Sequence, residues 1–266
     1  MSSQIPSDLR FLLKLTRSMP KIIGAGKISS KIRNLYCQKK HPPLVIDVLG
    51  SKMQLYPNDW IDSEFLFHPH LFDREELNIL KKYLNPGDIF LDAGAHIGFY
   101  SLQLSKKLGK KGRVLAIEAN PFTYKRLTQH IQWNNCTNTT TVECGLSDQT
   151  SYLNMSCNPS NMGSNSFHKK VGLDTLKVQC FPLLKVLEEQ NISKIRVAKL
   201  DLEGWEYKVL NKFFSTAKRT LHPQILMCEH FPQINKEPTL ELIKNNGYKL
   251  LWNRAPRPNY IFEKME

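Results

Sequence analysis

From residue 87 onward, short apolar runs alternate with stretches whose apolar residues recur at helical spacing, and each change of period marks an element. IFLDA (89–93), RVLAIEA (113–119), TTTVECGLS (139–147), RVAKLDL (196–202) and QILMCEHF (224–231) read as strands. Between and after them, FYSLQLSKKL (99–108), PFTYKRLTQHIQWNN (121–135), FPLLKVLEEQN (181–191), WEYKVLNKFF (205–214) and PTLELIKNNGY (238–248) read as helices. Pro121 suits a first helical position, because its missing N–H would have no partner there anyway. KLLWN (249–253) and NYIFEK (259–264) close the chain as two strands across a proline-containing turn. Alternation of this kind predicts a doubly wound, mostly parallel, seven-stranded α/β sheet between helices, with the final pair adding an antiparallel strand at its edge. Residues 150–172 are rich in Asn and Ser and show no period, so they are expected to form a long loop.

Ahead of this domain (87–266) the pattern is less regular. PLVIDVLGSKMQLYP (43–57) reads as two short strands around Gly50-Ser51, and FDREELNILKKYL (72–84) as a helix stopped by Asn85-Pro86-Gly87. Residues 44–86 are therefore expected to form a small N-terminal helical and strand cap. Tyr56, Trp60 and Phe65 fit its core better than a stacking platform for a ring.

Charge changes the picture at the N-terminus. The net charge is +13, and nine bases against the single acid Asp8 place +8 of it in the first 40 residues. A basic arm (1–43) of this kind is drawn to an anionic surface such as a membrane leaflet, nucleic acid or acidic glycan, or it forms a solvated, partly helical extension. No apolar run reaches the roughly 18–20 residues that span a bilayer, and Lys14 and Arg17 break the one N-terminal apolar patch. The six cysteines contain no CxxC pair, which argues against structural zinc and for reduced thiols. The expected location is cytoplasmic, with a peripheral place at a membrane open through residues 1–40.

The candidate chemistry lies where strands end. In a doubly wound sheet, ligands bind at the carboxyl ends of the strands. Asp92 ends the first of them, Gly94 and Gly98 permit a sharp turn close to a ligand, and the following helix presents unpaired N–H groups. Glu118 ends the second strand, where an acid can take both ribose hydroxyls. Asp148 follows the third in GLSD, where it can accept from an adenine amine, and Asp201 ends the fourth in KLDLEG. This density of acids disfavours a dinucleotide pyrophosphate, and no phosphate-binding P-loop is present. A cationic ligand with an adenosine end, S-adenosylmethionine, fits better.

The ordered segments DIFLDAGAHIGFYSL, VLAIEANP, GLSD, NMGSNSF and VAKLDLEGWEYKVL, preceded by YPNDWIDS and LNPGD, resemble the FkbM family of S-adenosylmethionine-dependent methyltransferases over about residues 44–253. The resemblance implies a class I, Rossmann-like methyltransferase domain that methylates hydroxyls of sugars and natural products. It implies that Asp92, Gly94 and Gly98 frame the methionine portion, that Glu118 holds the ribose with Asn120 nearby, and that Asp148 meets the adenine. It also implies that Asp201 and Glu203 face the transferred methyl. His96 stands where the family more often has Asn, and Trp205 stands where a small residue is common, so that Trp205 is expected on the substrate side.

Methyl transfer to an alcohol benefits from a base within hydrogen-bond reach, and Asp201, Glu203, Glu229 and His230 are the candidates. Glu206 is the weaker alternative, being better placed to favour a helix dipole. Asp201, Glu203 and Glu229 offer a second role around a divalent cation, but no spacing rule singles it out and no metal is assigned. Asn161, Ser164, Asn165, Ser166 and His168 offer donors and acceptors for a small-molecule or glycan acceptor. A nucleic acid is the less favoured acceptor, since [DN]-P-P-[YFW] is absent and Asn158-Pro159-Ser160 only approaches it. A third reading is a non-catalytic adenosylmethionine-binding scaffold.

Overall fold

The computed structural model describes residues 5–18, 25–158, 165–168, 174–230, 238–253 and 258–265. The chain divides into two compact units, one built mainly from residues 1–75 and the other from 76–157 and 164–266.

In the first unit, helices α1 (Ser7–Arg17) and α2 (Ala25–Tyr36) precede the hairpin β1 (Leu44–Val48) and β2 (Ser51–Leu55), followed by α3 (Trp60–Phe67). Val48 pairs with Ser51, so the turn residues are Leu49 and Gly50, both at positive φ, and the Asp47 side chain accepts the Gly50 N–H. The segment read as a basic arm is folded along part of its length. Leu9, Leu13 and Thr16 of α1 are buried, and the Arg17 guanidinium donates to the carbonyls of Leu66 and Asp47. The Arg33 guanidinium pairs with Glu64. Helix α3 was not expected from the sequence. WIDSEFLF buries Phe65, Leu66, Phe67, Asp62 and Ser63 together, so it has no polar face to reveal its period, and its start is set by Asp59 accepting the Asp62 N–H.

Helix α4 (Arg74–Tyr83) leads into the second unit. There β3 (Ile89–Ala93), α5 (Phe99–Leu108), β4 (Arg113–Glu118), α6 (Pro121–Trp133) and β5 (Thr139–Glu143) follow the predicted alternation. A smaller three-stranded sheet comes next, made of β6 (Gly145–Leu146), β7 (Ser151–Cys157) and β8 (Asp174–Phe181) in the order β6-β8-β7. Then come α7 (Leu183–Glu189), β9 (Val197–Leu200), α8 (Glu206–Thr216), β10 (Ile225–Glu229), α9 (Thr239–Asn245), β11 (Tyr248–Asn253) and β12 (Asn259–Lys264).

The main sheet has seven strands in the order β11-β12-β10-β9-β3-β4-β5. β3, β4, β5, β9 and β10 run parallel, and β12 is antiparallel to both of its neighbours, β10 and β11. This corrects the expected place of the antiparallel strand. β12 lies inside the edge and β11 forms the edge itself, because the last strand returns beside β10 instead of being added outside β11. The central strands are buried on both faces, as parallel strands covered by helices must be. On one side Leu91, Leu115, Ala198 and Leu226 pack with Leu187, Leu210, Phe213 and Ile243 from the helices that follow β8. Each such large side chain contributes about 1.5–3 kcal/mol when fully buried, and this packing holds the strand ends in place.

The other correction concerns residues 150–172. β7 and β8 pair antiparallel from Ser151↔Cys180 to Cys157↔Asp174, so residues 151–157 of the expected loop are instead the first strand of a hairpin. Its inward residues Met155, Val178 and Cys180 form a small satellite core. Its outward residues Tyr152, Asn154 and Gln179 are exposed. A hairpin buried on one face by so few apolar residues gives only a weak alternation. All six cysteines are free thiols, and among the described residues no helix is long and apolar enough to cross a membrane.

Candidate functional site

The carboxyl ends of β3, β4, β9 and β10 bring Asp92, Glu118, Asp201 and Glu229 to one edge of the main sheet. The turn after β3 is held from three directions. Gly94 and Ala95 donate their N–H groups to the Ile117 carbonyl of β4. The buried His130 ring of α6 donates from Nδ1 to the Ile97 carbonyl at 2.9 Å, and burial lowers its pKa to about 4. Lys199 of β9 reaches the Gly94 carbonyl at 3.2 Å. Glycine is required at two places. A Cβ on Gly94 (φ +78) would collide with the Asp201 carbonyl oxygen, and one on Gly98 (φ +90) would meet the Leu127 side chain.

Glu118 is nearly fully buried. One of its oxygens accepts the His96 N–H at 2.8 Å and the other accepts the Asn120 N–H at 2.9 Å. Burial raises its pKa and the backbone donors oppose that shift. The Thr123 hydroxyl also bears on this carboxylate, and the acceptor capacity that remains suits a ligand hydroxyl. Around it, Asn120 caps α6 by accepting the Phe122 N–H, while its buried amide nitrogen has no partner. His96 sits at φ +51, and burial holds its imidazole neutral with a pKa of about 3. Its buried Nε2 also has no partner. Buried polar atoms are normally satisfied, so unpaired atoms beside this acid leave room for a polar partner, either water or a ligand.

Lys199 was not picked out in the sequence, since a lysine inside a strand reads as solvent-facing. It is buried, with Nζ at 3.1 Å from the Asp201 carboxylate and 3.8 Å from that of Asp92, and it lies over the Tyr100 ring at 5.4 Å. Burial works against its charge, but Asp201 and Asp92 together raise its pKa above the ordinary lysine value. Asp92 also accepts the Ser101 hydroxyl at 2.6 Å. Burial raises the Asp92 pKa, and Lys199 and Ser101 oppose the shift. The net negative charge at this edge is therefore smaller than the acids alone imply.

Asp201, Glu203 and Glu229 each bring one carboxylate oxygen within 4.8 Å of the others. Burial, followed by repulsion from Asp201 and Glu203, raises the Glu229 pKa well above the ordinary carboxyl value, and a hydrogen bond to Asp201 keeps its proton in place. Glu229 Oε2 is buried and has no hydrogen-bond partner. His230 follows, with a pKa lowered by burial, a buried Nδ1 without a partner, and its ring 6.0 Å from that of Tyr260. Glu203 is at φ +53 in the turn before α8. Glu206 accepts the N–H of Leu202 at 2.7 Å and of Gly204 at 3.4 Å, which makes it a clamp for that turn and agrees with a structural part.

The residues expected on the acceptor side fall into separate groups. Asn161 and Ser164 lie outside the described residues. Asn165 is half-buried. Ser166 donates its hydroxyl to the Glu203 carbonyl at 2.7 Å, and the His168 ring bonds the Gly204 carbonyl at 3.1 Å. Both therefore brace the turn after β9 with the groups expected to meet an acceptor. Trp205 donates its indole N–H to the Ser147 hydroxyl at 3.4 Å, and Ser147 donates to Asp148 at 3.0 Å. Asp148 follows β6 of the smaller sheet and is exposed, so it does not share the main-sheet edge with the other acids. The Trp205 ring also lies 5.2 Å from His168 and 4.0 Å from the Lys208 ammonium.

Against known proteins, the family model described as the methyltransferase FkbM domain matches residues 92–250. The chain is 27% identical over 138 residues to the hexuronic acid methyltransferase AglP of Haloferax volcanii, covering 52% of this chain and 55% of that protein. It is 25% identical over 192 residues to the methyltransferase sdnD of Sordaria araneosa, covering 60% and 73%. A shorter match, 42% identical over 55 residues, is to the ribosomal RNA large subunit methyltransferase E of Bdellovibrio bacteriovorus, covering 21% and 28%. The chain thus spans about half the length of AglP and less of the ribosomal RNA enzyme.

Proposed function

The chain belongs to the FkbM methyltransferase family, and from that premise we propose that it moves the methyl group of S-adenosylmethionine onto a hydroxyl of a sugar, glycan or other polyhydroxylated small molecule. The main-sheet order, with its antiparallel strand one place inside the edge, is that of class I methyltransferases. The residues fit the cofactor. The remaining acceptor capacity of Glu118 suits ribose hydroxyls, the unpaired His96 Nε2 and Asn120 amide flank it, and Gly94 and Gly98 admit the methionine portion. Asp148, exposed beside Ser147, is the adenine contact in this reading. When bound, S-adenosylmethionine supplies an electrophilic methyl group on a positively charged sulfur.

The remaining chemistry falls to the chain. The Asp201–Glu229 pair is the observation that carries the hydroxyl reading. Glu229 holds a proton tightly while its neighbour Asp201 is paired with the Lys199 ammonium. Asp201 would accept the acceptor's hydroxyl proton as that oxygen takes the methyl group and the carbon–sulfur bond breaks, and Glu229, whose proton is bonded to Asp201, would hold that carboxylate in place. Glu203 and the neutral His230 ring provide the next acceptors along that edge. Trp205 offers an apolar face to a sugar ring. Collinear alignment, more than basicity, supplies most of the acceleration in such a displacement, which is why the turn after β9 is clamped so many times.

The test is to incubate the protein with methyl-labelled S-adenosylmethionine and panels of uronic acids, neutral sugars, glycans, lipids, proteins and RNA. Label in the first three panels, as an alkali-stable ether, is the expected result. Label confined to RNA would overturn the choice of acceptor.

A further inference from the structure

We infer that the helical first unit is a docking surface for an anionic membrane leaflet. A helix that lies on a core normally turns polar residues to the opposite side. α1 does not. Leu9, Leu13 and Thr16 are buried, yet Phe11 (67% exposed) and Leu15 (41%) project from the other side, one turn apart. On α2, Ile28 (56%) and Leu35 (66%) share a stripe with the exposed Lys31. Apolar side chains left in water on both helices, at helical spacing, mark a binding surface.

Charge identifies the partner. Of the nine bases in the first 40 residues, Arg17 and Arg33 are committed to partners inside the unit. Arg10 and Lys14 stand next to Phe11 and Leu15 and are exposed, as are Lys31, Lys39 and Lys40, while Asp8 is the one acid of that segment. Exposed Phe and Leu beside Lys and Arg is the composition of helices that lie in a bilayer interface. The apolar groups enter the acyl boundary, the long basic stems cover it, and their charges meet acidic headgroups. RNA offers the negative charge and base faces on which an aromatic ring stacks, but no hydrocarbon layer for the aliphatic Leu15, Ile28 and Leu35 to enter. A second copy of this chain would bring the same positive charge to the contact.

The test uses the full chain and sedimentation with phosphatidylcholine vesicles, with and without phosphatidylserine. The double variants Phe11→Ser with Leu15→Ser and Lys14→Glu with Lys31→Glu alter exposed positions outside the site described above. Wild type should bind the phosphatidylserine vesicles and release them as salt rises. Each double variant should lose roughly tenfold or more in affinity, with unchanged circular dichroism and unchanged cofactor affinity. Loss on charge reversal alone, with Phe11 and Leu15 replaceable at no cost, would overturn the inference. So would binding to RNA but not to vesicles, or vesicle-independent dimerisation abolished by the Phe11 and Leu15 changes. Cofactor affinity reports on the sheet edge separately, so failure here leaves the methyl-transfer reading standing, and the reverse holds too.

Discussion

The two halves of the acidic sheet edge are built on different principles. Around Glu118 the carboxylate is buried but satisfied by two backbone N–H groups, and the glycine turn is held by carbonyl contacts from β4, α6 and Lys199. Around Glu229 several acids crowd together, one is held protonated, and polar atoms of both Glu229 and His230 are left without partners. The first half is shaped in advance to bind, with its geometry set by the backbone. The second keeps like charges close together, with one of them neutralised by a proton. Binding and chemistry are therefore expected to respond to different substitutions.

Four substitutions test that division. Lys199→Met, which touches both halves, is expected to do most harm. It leaves Asp92 buried opposite Asp201 without a counter-charge, and breaking a buried pair this way costs about 3–5 kcal/mol. Chemical denaturation should show the loss, and a stability within about 1 kcal/mol of wild type would mean that the two halves do not share this lysine. Glu118→Ala comes next. Removing this buried charged acceptor should weaken S-adenosylmethionine and its demethylated product by roughly a hundredfold in calorimetry. Unchanged affinity would detach the binding half from its assigned ligand.

Glu229→Gln should separate the halves most clearly, lowering kcat by about tenfold to a hundredfold while cofactor affinity stays near wild type. Its stability carries a pH signature. The folded pKa of Glu229 is raised, so between its unfolded value, near 4.5, and its folded value the native state holds a proton that the unfolded state has lost. Stability contributed by this group therefore declines as pH rises through that window. The glutamine variant should match wild type at acid pH and exceed it increasingly above. A difference that shrinks with rising pH would contradict the crowding of like charges assigned to this half.

The smallest effect is expected from His96→Asn, since asparagine tolerates positive φ and the backbone bond to Glu118 survives. The signature again lies in pH. The imidazole titrates at about 3 when folded and at 6.5 when free, so the wild type loses stability as pH falls from about 6.5 toward 3. The asparagine variant should lose less across that interval in thermal melts.

The strand–helix alternation after residue 87 was readable because parallel strands covered on both faces leave short, dense apolar runs, and Asp92, Glu118, Asp201 and Glu229 could be placed at strand ends for the same reason. The β7–β8 hairpin was not, because one of its faces is in water and its sequence resembles a polar loop. Helix α3 escaped because burial on nearly every side erases a helical period. Lys199 escaped because its significance depends on two acids that come from another strand and from the turn beyond its own. Nothing local says that β12 will pair with β10, so the position of the antiparallel strand had to come from the structure. Ser166 and His168 were legible as polar residues, while their attachment to the carbonyls of Glu203 and Gly204 depends on how the hairpin returns over that turn.

The absent side chain at Gly94 ties the two halves together. Because the turn after β3 rests directly against the Asp201 main chain, any bulk introduced there would displace the glycine turn and the Asp201 segment in one movement. Changes in the β7–β8 hairpin or at Trp205 leave this contact alone, whereas a change at Gly94 reaches both halves at once.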